Sequence, residues 1–361
     1  MLGKKSIILM ALLVLAIFAV GSVSAADNIT ADSDVPADDI TVDDVSVDET
    51  DDSGKVVEPT RALHDVTYSD SVADINQAIS DASTDSSNHI VNFAQGTYYN
   101  AAYTVQDNVV LDGHGSTLIG DGTNDIFVVT NCQNFTIKNF IININCSSAA
   151  AVYGHHVYDA VITNNTMYNG RDGINIFQVH ENLTITNNYI HDFNRDGISL
   201  VNFLTMDDTT WNNFKPSTIT GNIISCDGSL SGNQYGMFFG GNFKGVICNN
   251  NISGADYGIE FAGKKAATNG RLDVELNYNT IVNVTTGISM NHPDVICFKM
   301  LNNTVNSTSN TTFAILAGNN FDVDDDAIIS LINNTFYGYT SSAFYYEITE
   351  DINNTGLVRY P

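Results

Sequence analysis

The stretch from Thr184 to Ile190 reads TITNNYI, and close copies recur along the chain. They are VITNNTM (Val161 to Met167), TITGNII (Thr218 to Ile224), VICNNNI (Val246 to Ile252), ELNYNTI (Glu275 to Ile281), KMLNNTV (Lys299 to Val305) and SLINNTF (Ser330 to Phe336). An earlier, weaker copy is TIKNFI, Thr136 to Ile141. With the second corner residue as marker, beginning at Asn139 and Asn165 and ending at Asn334, the spacing averages about 28 residues, which lies in the range of stacked repeats. A second corner sits part-way round each unit: RDGINI from Arg171, RDGISL from Arg195, QYGMFF from Gln234, DYGIEF from Asp256 and TTGISM from Thr285. Degenerate forms follow at Thr312 and Ser342.

Runs of a few residues rich in Ile, Val, Thr and Phe between two recurrent corners describe short strands. Asn and Gly tolerate positive φ, so a coil that bends sharply at the same place each turn selects them. No helical stretches separate the strands, which excludes βαβ crossovers, and a propeller blade needs roughly 40 residues per repeat. An antiparallel sandwich predicts hairpin turns and no fixed long period. The pattern therefore predicts an all-β parallel solenoid, each coil pairing with the next, with Ile162, Ile185, Ile219, Ile247, Leu276, Leu301 and Ile332 aligned in its interior.

Three segments are expected. Residues 1–25 read as a secretory signal: Lys4 and Lys5, the apolar run Ile7 to Val20, then Val23-Ser24-Ala25 as a cleavage site. Residues 26–60 hold twelve acidic residues against Lys55 alone and read as a disordered, self-repelling spacer. Residues 61–361 carry the solenoid. SVADINQAISDA (Ser71 to Ala82) places Val72, Ile75, Ala78 and Ile79 at helical spacing, a helix suited to covering the open first coil.

The order of that helix, a strand with GTY, NVVLDGHGSTLIG, and then the Asn and Gly-Ile coils resembles the right-handed parallel β-helix superfamily that includes pectate lyases, over roughly residues 70–350. The leader, acidic spacer and Asn-rich coils look like adhesin-like surface proteins of methanogenic archaea. The resemblance implies a right-handed single-stranded parallel β-helix with an N-terminal capping helix. A fold does not transmit a function.

The formal charge of −27 argues against nucleic acid and anionic membrane as partners and leaves glycans, divalent cations and surface proteins of neighbouring cells. The chain is expected to act as a secreted or cell-surface monomer with no membrane span after cleavage of the signal. Five cysteines without CxxC spacing exclude a zinc site or a dense disulfide framework. No cofactor is required; calcium is the one candidate.

Within the superfamily, the resemblance implies that lyases hold Ca²⁺ with acidic residues and use Arg or Lys as base, and that hydrolases use clustered Asp. The candidate catalytic residues are Arg171, Asp172, Arg195 and Asp196, one coil apart, although a salt-bridged corner ladder accounts for them without a substrate. DGHG at Asp112 to Gly115 reads as a Gly-rich turn. Insertions collect after the second corner, and on solenoids such insertions often build the binding face. They carry the candidate binding residues Asp207, Asp208, Trp211, Lys215, Lys264, Lys265 and Arg271, and the candidate Ca²⁺ ligands Asp322, Asp324, Asp325 and Asp326. An exposed Trp beside carboxylates suits a sugar ring. The functional expectation is adhesion through a glycan or a neighbouring cell's surface protein, with a polysaccharide lyase or glycoside hydrolase as the alternative.

Overall fold

In the computed structural model, residues 64–226, 233–263, 270–291, 294–306, 313–317, 327–338, 341–343 and 350–356 are described. The expected signal and acidic spacer, together with Lys264, Lys265, Asp322, Asp324, Asp325 and Asp326, lie outside them. Short strands from Asp65–Val66 to Glu350–Ile352 form one sheet of twelve, all parallel and all in sequence order. Sequential order in a parallel sheet requires the chain to make a full circuit between neighbours. The remaining strands supply the rest of each circuit, again with parallel pairing. The architecture is a parallel β-helix.

Strands that alternate one residue in and one out give each column a fixed face. Ile162, Ile185, Ile219, Ile247 and Leu276 pair in register, and all are at most 1% exposed. Above them the interior positions belong to Met300 and Leu331, not to the expected Leu301 and Ile332. Leu301 and Ile332 continue the outward column of Thr163, Thr186 and Thr220. The triplets KML and SLI are apolar at adjacent positions, so their letters alone do not say which residue faces in.

At the first corner the residue with positive φ is Asn139, Asn164, Asn187, Gly221, Asn249, Tyr278, Asn302, Asn333 or Asn353, with φ between 53° and 68°. The residue after it builds a ladder. Asn165, Asn188, Asn222, Asn250, Asn279, Asn303 and Asn334 are at most 2% exposed. Each donates one amide hydrogen to the next Asn Oδ1 at 2.9–3.1 Å. Each donates the other to a main-chain carbonyl of the coil before it at 2.7–3.0 Å. The same Oδ1 accepts the backbone N–H of the preceding Asn. In the weak first copy the ladder position is Phe140, whose N–H donates to Asn165 Oδ1, and not the expected marker Asn139. The first repeat is therefore 25 residues long.

The second-corner glycines have a different cause from the one expected. Gly173, Gly197, Gly236 and Gly258 are not at positive φ. A Cβ on any of them would lie 2.5–2.6 Å from the carbonyl oxygen of the corner glycine one coil on. Close approach of successive coils, and not handedness of the backbone, excludes a side chain there.

Helix α1, Val72–Thr84, starts at a capping box between Ser71 and Asp74 and buries Ile75, Ile79 and Ala82. These residues join the same core as the first coils, so the apolar end of the stack is covered as expected. Asp112 to Gly115 is a turn: His114 and Gly115 have positive φ, and Asp112 is held by Lys138 and Asn139.

Two tests follow from this architecture. Asn250→Ala leaves the carbonyl of Ile219, the backbone N–H of Asn222 and one hydrogen of the Asn222 side-chain amide without partners in the interior, and loss of stability by about 3 kcal/mol is expected in urea unfolding. His180 is fully buried with neither ring nitrogen hydrogen-bonded, and burial pushes its pKa down to about 4. The unfolded chain therefore takes up this proton near pH 6.5 while the folded one does not, and stability falls as pH drops from about 6.5 to about 4, by up to about 3 kcal/mol. His180→Leu is expected to flatten that slope; an unchanged pH dependence would contradict the assignment.

Candidate functional site

The middle coils place several long strands side by side: β1 (Ile141–Tyr158), β2 (Thr166–Glu181), β3 (Tyr189–Asn202), β4 (Tyr235–Gly241) and β5 (Tyr257–Ala262). Aligned on their corner glycines, the residues just before the bend form the column Asp172, Asp196, Tyr235, Tyr257. Two positions after the glycine, Asn175, Ser199, Phe238 and Glu260 form a second column. The interior column between them, Ile174, Ile198, Met237 and Ile259, is fully buried.

Asp172 is wholly buried and completely engaged. Arg195 reaches across one coil to it through Nη2 at 2.8 Å and Nε at 3.0 Å. Arg171 Nε at 2.8 Å, Asn175 Nδ2 at 2.9 Å and the Asp196 N–H at 3.3 Å complete its partners. The expected corner ladder is therefore real at Asp172. Asp196 is different. Its Oδ2 accepts from Arg195 Nε at 3.1 Å, while its buried Oδ1 makes no hydrogen bond, although Ser199 lies near enough to favour the charged form. Burial first, and then repulsion from Asp172, push the Asp196 pKa up to about 6 against the opposing pull of Arg195. Glu260, two coils further on, is pushed up to about 7 by burial and by Asp196.

Asp196 and the two arginines open onto a cavity of about 560 Å³. Arg171, Arg195 and Asp196 line it together with Tyr153, His155, Phe177, Phe203, Tyr235 and Phe238. Tyr153 Oη and His155 Nε2 are 2.8 Å apart, and His155 meets the Phe177 ring edge to face at 5.7 Å. Tyr235 stacks on Tyr257 at 5.0 Å. A floor of charge and carboxyl groups walled by aromatic rings suits a ligand with many hydroxyls and flat apolar faces.

The described members of the expected binding set, Asp207, Asp208, Trp211, Lys215 and Arg271, lie elsewhere. Trp211 sits on helix α2, Asp208–Asn213, and is 5% exposed, stacked on Phe214 at 5.7 Å, with Lys244 5.5 Å from its ring centre. Met206, Phe214 and Ile296 complete this small core, so the ring is spent on anchoring the insertion and not on meeting a sugar. Asp207 caps α2, Asp208 pairs with Arg271 at 2.7 Å, and Lys215 pairs with Asp159 at 3.2 Å. Among the described expected residues only Arg171, Arg195 and Asp196 line the cavity. Tyr153, His155, Asn175, Ser199, Tyr235, Phe238 and Glu260 are additions from the structure; stacking the corner glycines in one column is the sequence signal that brings most of them together.

Among the described residues no cluster of three His, Cys, Asp or Glu side chains is placed to hold a metal ion, and no helix is long and apolar enough to cross a membrane. The family described as the right-handed β-helix region matches residues 125–269, which contain the cavity. The helix is right-handed. No curated protein sequence matches the chain. Among solved structures, the A-module of a mannuronan C-5 epimerase from Azotobacter vinelandii aligns with 16% identity over 80% of this chain and 93% of its own, with a TM-score of 0.51. A hyperthermoactive exopolygalacturonase from Thermotoga maritima aligns with 11% identity over 83% and 92%, with a TM-score of 0.50. Identities this low speak to the shared fold alone.

A carboxyl group whose pKa is raised on folding is more stable protonated, so the native state gains stability as pH falls from about 6 toward the unfolded value of 3.8. Asp196→Asn is therefore expected to raise stability at pH 7.5, by up to about 3 kcal/mol, with the gain vanishing below about pH 4. Denaturant unfolding across pH measures it, and a destabilised variant at pH 7.5 would refute the burial of charge at this position.

Proposed function

We propose that the cavity binds a polysaccharide carrying acidic sugars and cleaves its glycosidic bonds by hydrolysis. The observation that carries this reading is Asp196: a buried carboxyl paired with Arg195 through one oxygen, with the other unpaired, in an aromatic-walled groove that Arg171 also lines. Natural cores rarely leave such an oxygen without a partner, and perturbed acids in clefts concentrate at functional sites.

The roles follow from the two carboxyls. Glu260, with the higher pKa, keeps its proton near neutral pH and is suited to protonating the leaving oxygen. Asp196 ionises first and lines the groove, which makes it the carboxylate to take a proton from an attacking water. Their coils are two strand spacings apart, roughly 10 Å, and Glu260 is offset by three residues along the strand from the column of Asp196, so the two carboxyls leave room between them for a sugar ring and a water. Arg171 and Arg195, with side chains 30% and 44% exposed, favour a polymer with carboxylates. Tyr235 and Phe238 offer faces to sugar rings, and the Tyr153–His155 pair offers hydroxyl partners.

The two structural neighbours named above are a mannuronan C-5 epimerase and an exopolygalacturonase, which is in keeping with an acidic polymer. An exported protein meeting its glycan outside the cell, as the leader-like N-terminus suggests, fits the same reading. A second reading, an adhesin-like protein that holds a glycan without turnover, is favoured by the wide, open form of the groove and the stacked Tyr235–Tyr257 pair.

Incubation with polygalacturonate, mannuronan and α-1,3-glucan, read as new reducing ends, tests the proposal. An acidic polymer is expected to be cut, with a rate that falls below about pH 6 as Asp196 gains a proton and above about pH 7 as Glu260 loses one. Asp196→Asn and Glu260→Gln are each expected to lower kcat about 10³-fold. Binding of a glycan with no turnover would select the adhesin-like reading, and unsaturated products would replace hydrolysis by elimination.

A further inference from the structure

The insertion after the second corner of β3 does not reach the cavity with its tryptophan, but it does so with Phe203, the residue directly after Asn202. Phe203 is laid over the backbone of Gly240 and Gly241. A Cβ on Gly240 would lie 3.1 Å from its Cζ, and one on Gly241 2.8 Å from its Cδ1. Two consecutive glycines therefore make the seat for this ring.

The seat is rigid on both sides. Asn242, fully buried, donates its side-chain amide to the carbonyls of Asn202 at 3.2 Å and Leu204 at 2.6 Å, the residues flanking Phe203. Its own Oδ1 accepts the Arg271 N–H at 3.0 Å, which ties the seat to the next coil. Beyond it, α2 is fastened by the buried Trp211 and by the Asp208–Arg271 pair. Such a clasped ring is a wall and not a mobile lid.

We propose that Phe203 is a specificity-determining residue that ends the groove on the side where the strands finish, so that only a short stretch of polymer fits between the arginines and this wall. The inference rests on the groove being the polymer site proposed above. It assigns to the insertion a task that none of its charged residues performs: setting how many sugar units are held at once. A chain longer than that stretch must run out of the groove before Phe203 or present its end to it.

The test is a calorimetric titration of galacturonate and mannuronate oligomers of three and six residues into Asp196→Asn protein, with and without Phe203→Ala. With Phe203 present the six-residue oligomer is expected to bind within about twofold of the three-residue one. Without the ring, it is expected to bind about five-fold more tightly than the three-residue one as new groove opens. Phe203→Leu, which keeps an apolar contact on the glycine seat, is expected to fall between and serves if the alanine variant unfolds. Length dependence that is the same with and without the ring overturns the wall while leaving the proposed function standing. Failure of every oligomer to bind any variant overturns both.

Discussion

From Asn165 onward, successive described coils are held at a fixed distance by an asparagine side chain that uses all of its hydrogen-bonding capacity on its neighbours. From Asn165 to Asn334 the amide nitrogen reaches back to a carbonyl and on to the next amide oxygen, which also accepts a backbone N–H. A buried polar group left unpaired is costly, so the ladder has no graded intermediate: either every rung is in register or each misplaced rung exposes several orphans. The apolar columns add stability but could slide; Ile on Ile tolerates a shift that Asn on Asn does not. Register in this helix is therefore specified by the polar residues of its interior and stabilised by the apolar ones.

Fixed register has a direct consequence for the site. Repeating a motif at the same place in successive coils puts identical side chains one strand spacing apart, about 4.8 Å. For Asp172 and Asp196 this means two carboxyls of the same sign on a buried floor. The arrangement is stable only because Arg195 leans across the coil boundary and Arg171 and Asn175 complete the shell of the lower one. The lower carboxyl takes nearly all the donors, and the upper one is left with an empty oxygen. Asymmetry between two chemically identical residues thus comes from stacking order: Asp172 has an arginine on its own coil and another on the coil above, while Tyr235 lies above Asp196.

Much of the scaffold was legible in the letters, for a physical reason. Positive φ at one corner and a polar ladder at the next position each restrict the residue to Asn or nearly so, and repetition makes the restriction visible. What was not legible is equally instructive. Leu301 and Ile332 were placed inside because KML and SLI carry apolar residues on both faces, where alternation gives no direction. Positive φ is the reading a single repeat offers for Gly173 and its counterparts, whereas the constraint is a carbonyl from the adjacent coil, which no single repeat reveals. Trp211, flanked by Thr210 and Asn212, reads as a ligand-facing ring, whereas it is buried against Met206 and Phe214 of its own insertion with Ile296 of a later coil packed on them. Glu260 and Phe238 were missed since each is unremarkable in its own repeat and acquires meaning only in a column beside Ser199 and Asn175.

The same column shows how a repetitive scaffold comes to hold a unique site. The position before the corner glycine changes from Asp172 and Asp196 to Tyr235 and Tyr257 within four coils, and the position two after it from Asn175 and Ser199 to Phe238 and Glu260. Every substitution keeps the glycine and the interior isoleucine or methionine, so the backbone that carries them is unchanged. Chemistry can therefore vary along the outer columns at little cost to the fold, while a change in the inner ones alters register for the whole stack. Polar, charged and aromatic groups are brought together here by rigid stacking and not by loop closure, which holds them near their working positions before any ligand arrives. Burying Asp196 with an unpaired oxygen lowers stability locally, and the ladder through Asn165, Asn188 and Asn222 at the other corner of the same coils supplies the surplus that lets the fold tolerate it.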